Sequence, residues 1–152
     1  MKKCESDLQR KLGNFHCPDE VTFQDRVTIC NHEFTTYRMS ESHGVVFFRD
    51  TVGVNSLVPG KVCEIFLVTQ GSAEHVFLAV HCYLTPLTSL PNPFARYSDF
   101  SASLWSSETQ KEITIVLGNR DIYHAIYRDW DHKIVVMKPL NKVSHYMISK
   151  KG

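Results

Sequence analysis

Cysteine and histidine are the residues in this chain best suited to covalent or metal chemistry, with five of the first and eight of the second. His16-Cys17 and Cys30-Asn31-His32, with Cys4 upstream, bring zinc-ligand types together near the N-terminus. Structural zinc favours Cys and His in pairs about two to four residues apart, so that each pair can turn back on one ion. Adjacent and one-apart pairs fit that poorly, and surface histidines with unpaired thiols are the simpler account. A nucleophile would pair Cys63 or Cys82 with His75, His81 or His124. His81 and Cys82 are neighbours in an extended run, where successive side chains point to opposite faces. No Gly-x-Ser-x-Gly nucleophile turn is present in the sequence. Asp121, His124, Asp129, Asp131 and His132 are the densest titratable group and suggest a metal-dependent hydrolase. Helix capping by Asp121 and turn formation by Asp129 and Asp131 explain the same residues without chemistry. No catalytic residue, metal ligand or cofactor is therefore expected.

Aromatic residues are the more informative set. Several of Phe94, Tyr97, Phe100, Trp105, Tyr123, Tyr127 and Trp130 fall in expected loops or at strand ends, with Arg96, Lys111, Arg120, Arg128 and Lys133 near them in sequence. Such residues form a cage for a cationic side chain or a platform for a base. Small β-modules also need aromatics simply to close their cores.

The elements that position these side chains are short strands. Val62 to Val68 and Val76 to Tyr83 are rich in β-branched and aromatic residues and flank Thr69-Gln70-Gly71-Ser72-Ala73-Glu74, which predicts a β-hairpin. Strict alternation places Val62, Glu64, Phe66 and Val68 on one face and Cys63, Ile65 and Leu67 on the other. Both faces are mainly apolar, so the hairpin belongs inside a barrel or sandwich. Pro59-Gly60 reads as a turn ahead of it. Phe34 to Tyr37 and Val45 to Phe48 read as strands joined by a Ser40 to Gly44 hairpin loop. Val21 to Ile29 is expected to be an irregular strand. Further strands are predicted at Ala102 to Trp105, Glu112 to Leu117 and Lys133 to Met137. Helical pieces are expected at Ser6 to Leu12, in one turn after Asn92-Pro93, and at Ile122 to Tyr127, where Ile122 and Ile126 share a face at i, i+4 spacing.

The totals agree with one domain. The chain has 152 residues, and its 17 Lys plus Arg against 16 Asp plus Glu give a formal charge of +1, too little to hold a polyanion by net charge alone. The longest apolar stretches are strand-length, well short of the roughly 20 residues that cross a bilayer. Met1 to Gly13 opens with Lys2 and Lys3 but has no apolar stretch behind them, unlike a secretory signal. An odd number of irregularly spaced cysteines fits a reducing compartment, so an intracellular protein with no membrane partner is expected.

Pro59-Gly60-Lys61-Val62-Cys63-Glu64-Ile65-Phe66-Leu67, Val76 to Val80, Leu84-Thr85-Pro86-Leu87, Asn92 to Phe100, Asp121 to Ala125 and Pro139 to Lys142 form an ordered series. It resembles a domain near the C-terminus of fungal transposon-associated proteins of the Kyakuja-Dileera-Zisupton kind, itself similar to the bromo-adjacent homology (BAH) barrel of chromatin proteins. The resemblance spans about Phe34 to Lys142. It implies a mainly β, SH3-like or BAH-like barrel with short helical insertions, over residues 31–142, between an N-terminal extension (1–30) and a polar tail (143–152). It further implies a non-enzymatic module, of transposon origin and nuclear location, that binds a protein, histone or nucleosome surface. Direct binding of DNA is the alternative and a metal-dependent hydrolase the second. The expected binding residues are Phe94, Arg96, Tyr97, Phe100, Tyr123, Tyr127 and Trp130. The oligomeric state is left open.

Overall fold

A computed structural model describes residues 20–49, 56–86, 93–94, 96–97, 101–118, 121–131 and 133–140. Ten strands follow in order: β1 (Glu20–Gln24), β2 (Arg26–Ile29), β3 (His32–Thr35), β4 (Val45–Arg49), β5 (Leu57–Gln70), β6 (Ala73–Cys82), β7 (Ser103–Ser106), β8 (Thr114–Leu117), β9 (Ile122–Asp131) and β10 (Ile134–Pro139). Eight of them make one antiparallel sheet in the order β7-β10-β9-β4-β5-β6-β8, with β1 added on β5. β2 and β3 form a separate two-stranded hairpin.

The predicted central hairpin is β5 and β6, paired from Gly60↔Cys82 to Gln70↔Ala73. Its loop is only Gly71-Ser72. Gly71 has φ 63, as the first position of a type II′ turn requires, and this turn matches the twist of the flanking strands. The alternation expected along β5 does not persist. Val62 pairs with Val80 but Glu64 with Ala79, so Cys63 is an extra residue in a β-bulge. The bulge reverses the parity of all that follows. Val62 and Ile65 therefore share one cluster with Phe34, Val46, Phe48, Leu78, Val80 and Ile122. Phe66 and Val68 join Phe77 and Ala79 on the other face. A third cluster gathers Val45, Phe47, Tyr83, Ala125, Val135 and Met137. β5 is thus covered on both faces, as its apolar composition demands.

The other edge of β5 is shared by three partners. β4 pairs with Leu57 to Lys61, and β1 pairs with Ile65 to Thr69. Between them the Val62 N–H donates to Gly44 O, and Val62 O accepts from the Tyr37 N–H, both at 2.8 Å. β1 thereby draws part of the expected N-terminal extension into the sheet. Pro59-Gly60 is not a turn but lies within β5. The ladder there uses the Pro59 carbonyl, which accepts from the Tyr83 N–H, so the missing proline donor is tolerated.

β3 does not pair with β4. It pairs with β2 through a two-residue loop, Cys30-Asn31, with φ 50 and 68. Two successive positive φ values define a type I′ turn, which Asn-Gly would satisfy with less strain. The hairpin lays Ile29 and Phe34 onto the first cluster.

Two further expectations are corrected. Residues 122–127 are strand, not helix: β9 pairs with β4 through Ile122 to His124 and with β10 through Ala125 to Asp131. An i, i+4 pair lies on one face in a strand as well as in a helix, so the Ile122 and Ile126 spacing fitted both. The described residues include no helix, and the turn after Pro93 has one Tyr97 N–H to Phe94 O bond. Ser6 to Leu12 lies outside the described residues. The barrel is also open. The 106–110 segment bonds to the end of β6 (Ser106 N–H to Leu84 O, Leu84 N–H to Glu108 O, Gln110 N–H to Cys82 O), but β7 and β8 themselves end the sheet unpaired with each other.

Two backbone positions give direct predictions. A Cβ on Gly44 would lie 2.4 Å from the Tyr37 Cα and 2.8 Å from Ser40 O, both backbone atoms that cannot step aside. Gly44→Ala should cost roughly 3 kcal/mol or more in urea unfolding. Gly71→Ala, with open space but a left-handed backbone, should cost only about 1 kcal/mol. At the β2–β3 turn, Cys30→Asn with Asn31→Gly should raise stability by about 1 kcal/mol in the same assay. Equal losses for the two glycine variants, or a less stable turn variant, would contradict these assignments.

Candidate binding surface

The expected binding residues separate into three groups. Tyr123 and Tyr127 are half-buried and pack against the third cluster from β9. Trp130, on the same strand, is 50% exposed. It is skipped in the ladder, where Val135 pairs with Asp129 and Ile134 with Asp131, so a second bulge frees it from the alternation. Phe94 meets Trp130 edge-on, with ring centroids 5.7 Å apart. Tyr97, 63% exposed, and the exposed Arg96 follow in the same turn. Phe100 lies outside the described residues.

Around Tyr127 the structure assembles a rim that sequence order does not show. Lys61, on β5, places its Nζ 4.5 Å from the centroid of the Tyr37 ring and 5.8 Å from that of Tyr83. The Tyr127 hydroxyl donates to Glu41 Oε2 at 3.3 Å. Tyr37, Glu41, Lys61, Tyr83 and Tyr127 come from two strands and two connecting segments, so only the folded sheet unites them. An ammonium over an aromatic face is attracted by the ring quadrupole, by about 0.5–1 kcal/mol when exposed and about 2 when desolvated. The rim can therefore hold a cation, and Lys61 is its resident one.

Proton equilibria in the rim follow from this crowding. Burial raises the Tyr83 phenol well above its ordinary range, helped by repulsion from Tyr37, Tyr127 and Glu41. Tyr127 is likewise raised, first by desolvation and then by its hydrogen bond with Tyr37 and the nearby Tyr37 and Glu41 charges. Both phenols are neutral hydrogen-bonding groups at physiological pH.

On the opposite face of β9, His124 stacks on Phe34 with centroids 4.2 Å apart and planes 6° from parallel. His43 and His32 meet its edge at 5.4 and 6.1 Å. Desolvation, then His43 and His32, lower the His124 pKa, against a raising backbone hydrogen bond at Glu33.

The other candidates do not converge. His124 and Asp129 lie five residues apart along an extended strand, about 16 Å. His132 lies outside the described residues. Among the described residues, no group of three or more His, Cys, Asp or Glu is placed to hold a metal ion. Cys30 occupies the exposed β2–β3 turn, and the Cys63 thiol donates to the Ala79 carbonyl at 3.1 Å. Comparison with known families, curated proteins and solved structures finds no match.

The phenols give a test. Because folding favours neutral Tyr83 and Tyr127, their stabilising contribution is present below the unfolded value of about 10 and is lost as pH rises above it. A near-ultraviolet phenolate titration should show two late-ionising tyrosines in the folded chain. Tyr127→Phe should remove one of them, and Glu41→Gln should bring the Tyr127 transition to lower pH. Six phenols titrating together near their ordinary value would dismiss the rim.

Proposed function

We propose that this chain is a non-enzymatic binding module for a protein partner. The observation that carries this reading is the aromatic series along β9: the half-buried Tyr123, Tyr127 at the rim, then the half-exposed Trp130 braced by Phe94, with Tyr97 and Arg96 in the adjoining turn. Trp, Tyr and Arg are the residue types that dominate binding energy at protein interfaces. The open, curled sheet supplies a fixed backbone on which they stand at strand and turn positions. A histone or nucleosome surface, and with it a nuclear setting and a transposon-derived origin, follows from the BAH-like motif series. Direct binding to DNA is the alternative, favoured by the exposed Arg96, Arg128 and Lys133 beside the same aromatics.

Binding to nucleosomes, histone-tail peptides and duplex DNA, measured at low and at physiological salt, separates these readings. A protein reader should bind nucleosomes or histone peptides with weak salt dependence. Trp130→Ala combined with Tyr97→Ala should reduce that binding at least about tenfold while leaving thermal unfolding unchanged. A steep fall in affinity for duplex DNA with salt would instead establish the nucleic-acid reading, because phosphate contacts release counterions. Full binding by the double variant would remove this surface from consideration.

A further inference from the structure

We propose that His32, His43 and His124 form a proton-operated latch, which fastens the β2–β3 hairpin and the 36–44 segment to β9 at neutral pH and releases both on acidification. The three imidazoles come from β3, from the 36–44 segment and from β9, and no regular strand pairing joins β3 to β9. What holds them together on that side is the His124 ring, lying flat on Phe34. Phe34 and Ile29 are in turn the residues by which the hairpin enters the first cluster. Stacking of this kind suits a neutral imidazole. Once protonated, the half-buried ring would gain some attraction to the Phe34 face but lose the hydration its charge requires, with two more protonatable rings at its edge.

The surrounding groups reinforce that direction. β3 contributes His32 on the same face as Phe34, while Glu33 points to its other face and acts on His124 only through the backbone. The 36–44 segment contributes His43, whose Nδ1 is 3.5 Å from Ser40 Oγ, and Glu41, whose carboxylate is engaged by Tyr127 across β9. β10 contributes Lys138, which pairs with Ile126 two residues along the His124 face. β4 contributes Val46, the cross-strand neighbour of His124. On β9 itself Arg128 lies four residues along and is exposed, and Asp121 has the opposite parity. Among the described residues just named, the titratable ones that share this face with His124 carry positive charge after proton uptake.

The sign follows. His124 binds a proton less readily in the folded chain than in the unfolded one. Its contribution to stability is present above the unfolded value of about 6.5 and is lost as pH falls from there through the lowered folded value. The latch has a consequence for the opposite face. The segment released with His43 also carries Tyr37 and Glu41, so proton uptake on one side of β9 dismantles the tyrosine rim on the other.

Amide hydrogen exchange on the full chain, corrected for the pH dependence of intrinsic exchange, tests the latch directly. Between about pH 7.5 and about pH 5.5, the Thr36 and Tyr37 amides and the β2–β3 amides should lose several-fold of their protection, up to about tenfold for the one imidazole. Those of Ile65 and Leu78, in the central hairpin, should keep theirs. His124→Phe retains the stack but cannot be protonated, and should make the protection independent of pH. Should that variant fold poorly, His32→Gln with His43→Gln removes both edge partners and should shrink the acid-induced loss. Unchanged protection in the wild-type chain at the lower pH, or an undiminished loss in the substituted chains, overturns the proposal.

Discussion

Much of this architecture depends on how one residue of β5 is bonded along its outer edge. Val62 spends its N–H on Gly44 and its C=O on Tyr37, filling the gap between the end of the β4 ladder and the start of the β1 ladder. An unpaired backbone donor or acceptor at this depth would cost about 1–3 kcal/mol, so the gap has to be filled. Gly44 makes it possible, because any side chain there would collide with the Tyr37 backbone. Through this junction the chain leaves the sheet after Gln24, makes the β2–β3 hairpin, and returns in register to begin β4. The bulge at Cys63 follows immediately and lets Val62 and Ile65 face the same cluster. Junction and bulge together allow one long strand to serve three partners on one edge and β6 on the other.

The same junction explains why two polar clusters stand on opposite faces of β9. The 36–44 segment leaves Val62 with Tyr37 and Glu41 directed to the Lys61 side, and returns to it with His43 on the His124 side. β9 alternates Tyr123, Ala125 and Tyr127 against Ile122, His124 and Ile126, so it meets the segment with phenols on one face and an imidazole on the other. Neither cluster is local in sequence. Each exists because the segment is pinned at both ends to one residue.

That arrangement accounts for what the sequence made legible. The β5–β6 hairpin was readable because composition, turn glycine and apolar faces all agreed. The register inside it was not, because a bulge leaves no mark in a run as uniformly apolar as Val62 to Val68. β9 read as helix because Asp121 suits a cap and Ile122 and Ile126 suit both periods; the alternation that decides it is masked by Tyr123 and Tyr127, aromatic residues on the half-buried face. β3 read as the partner of β4 because Ser40 to Gly44 has the composition of a hairpin loop, while the Cys30-Asn31 turn lacks the glycine that usually signals one. Among the site residues, Phe94, Trp130, Tyr123 and Tyr127 stood out by type. Tyr37, Glu41, Lys61 and Tyr83 did not, since each has an ordinary reading as strand or loop residue and only long-range pairing makes them neighbours. The three histidines were dispersed for the same reason.

Magnitudes indicate how firmly the segment is held. On the rim side, the Lys61 contact with Tyr37 contributes about 0.5–2 kcal/mol. The long, exposed Tyr127 to Glu41 bond lies toward the lower end of the about 1.5–3 kcal/mol typical of hydrogen bonds to charged groups. On the histidine side, two like charges about 6 Å apart repel by about 3 kcal/mol at an effective dielectric of about 20. Exposure of His32 and His43 screens this to about 1 kcal/mol per pair. Attraction on one face and repulsion on the other are therefore of the same size. The Gly44 end of the segment runs straight into the β4 ladder and stays anchored in either state, so the Tyr37 end and the rings respond to the balance while the β5 spine does not.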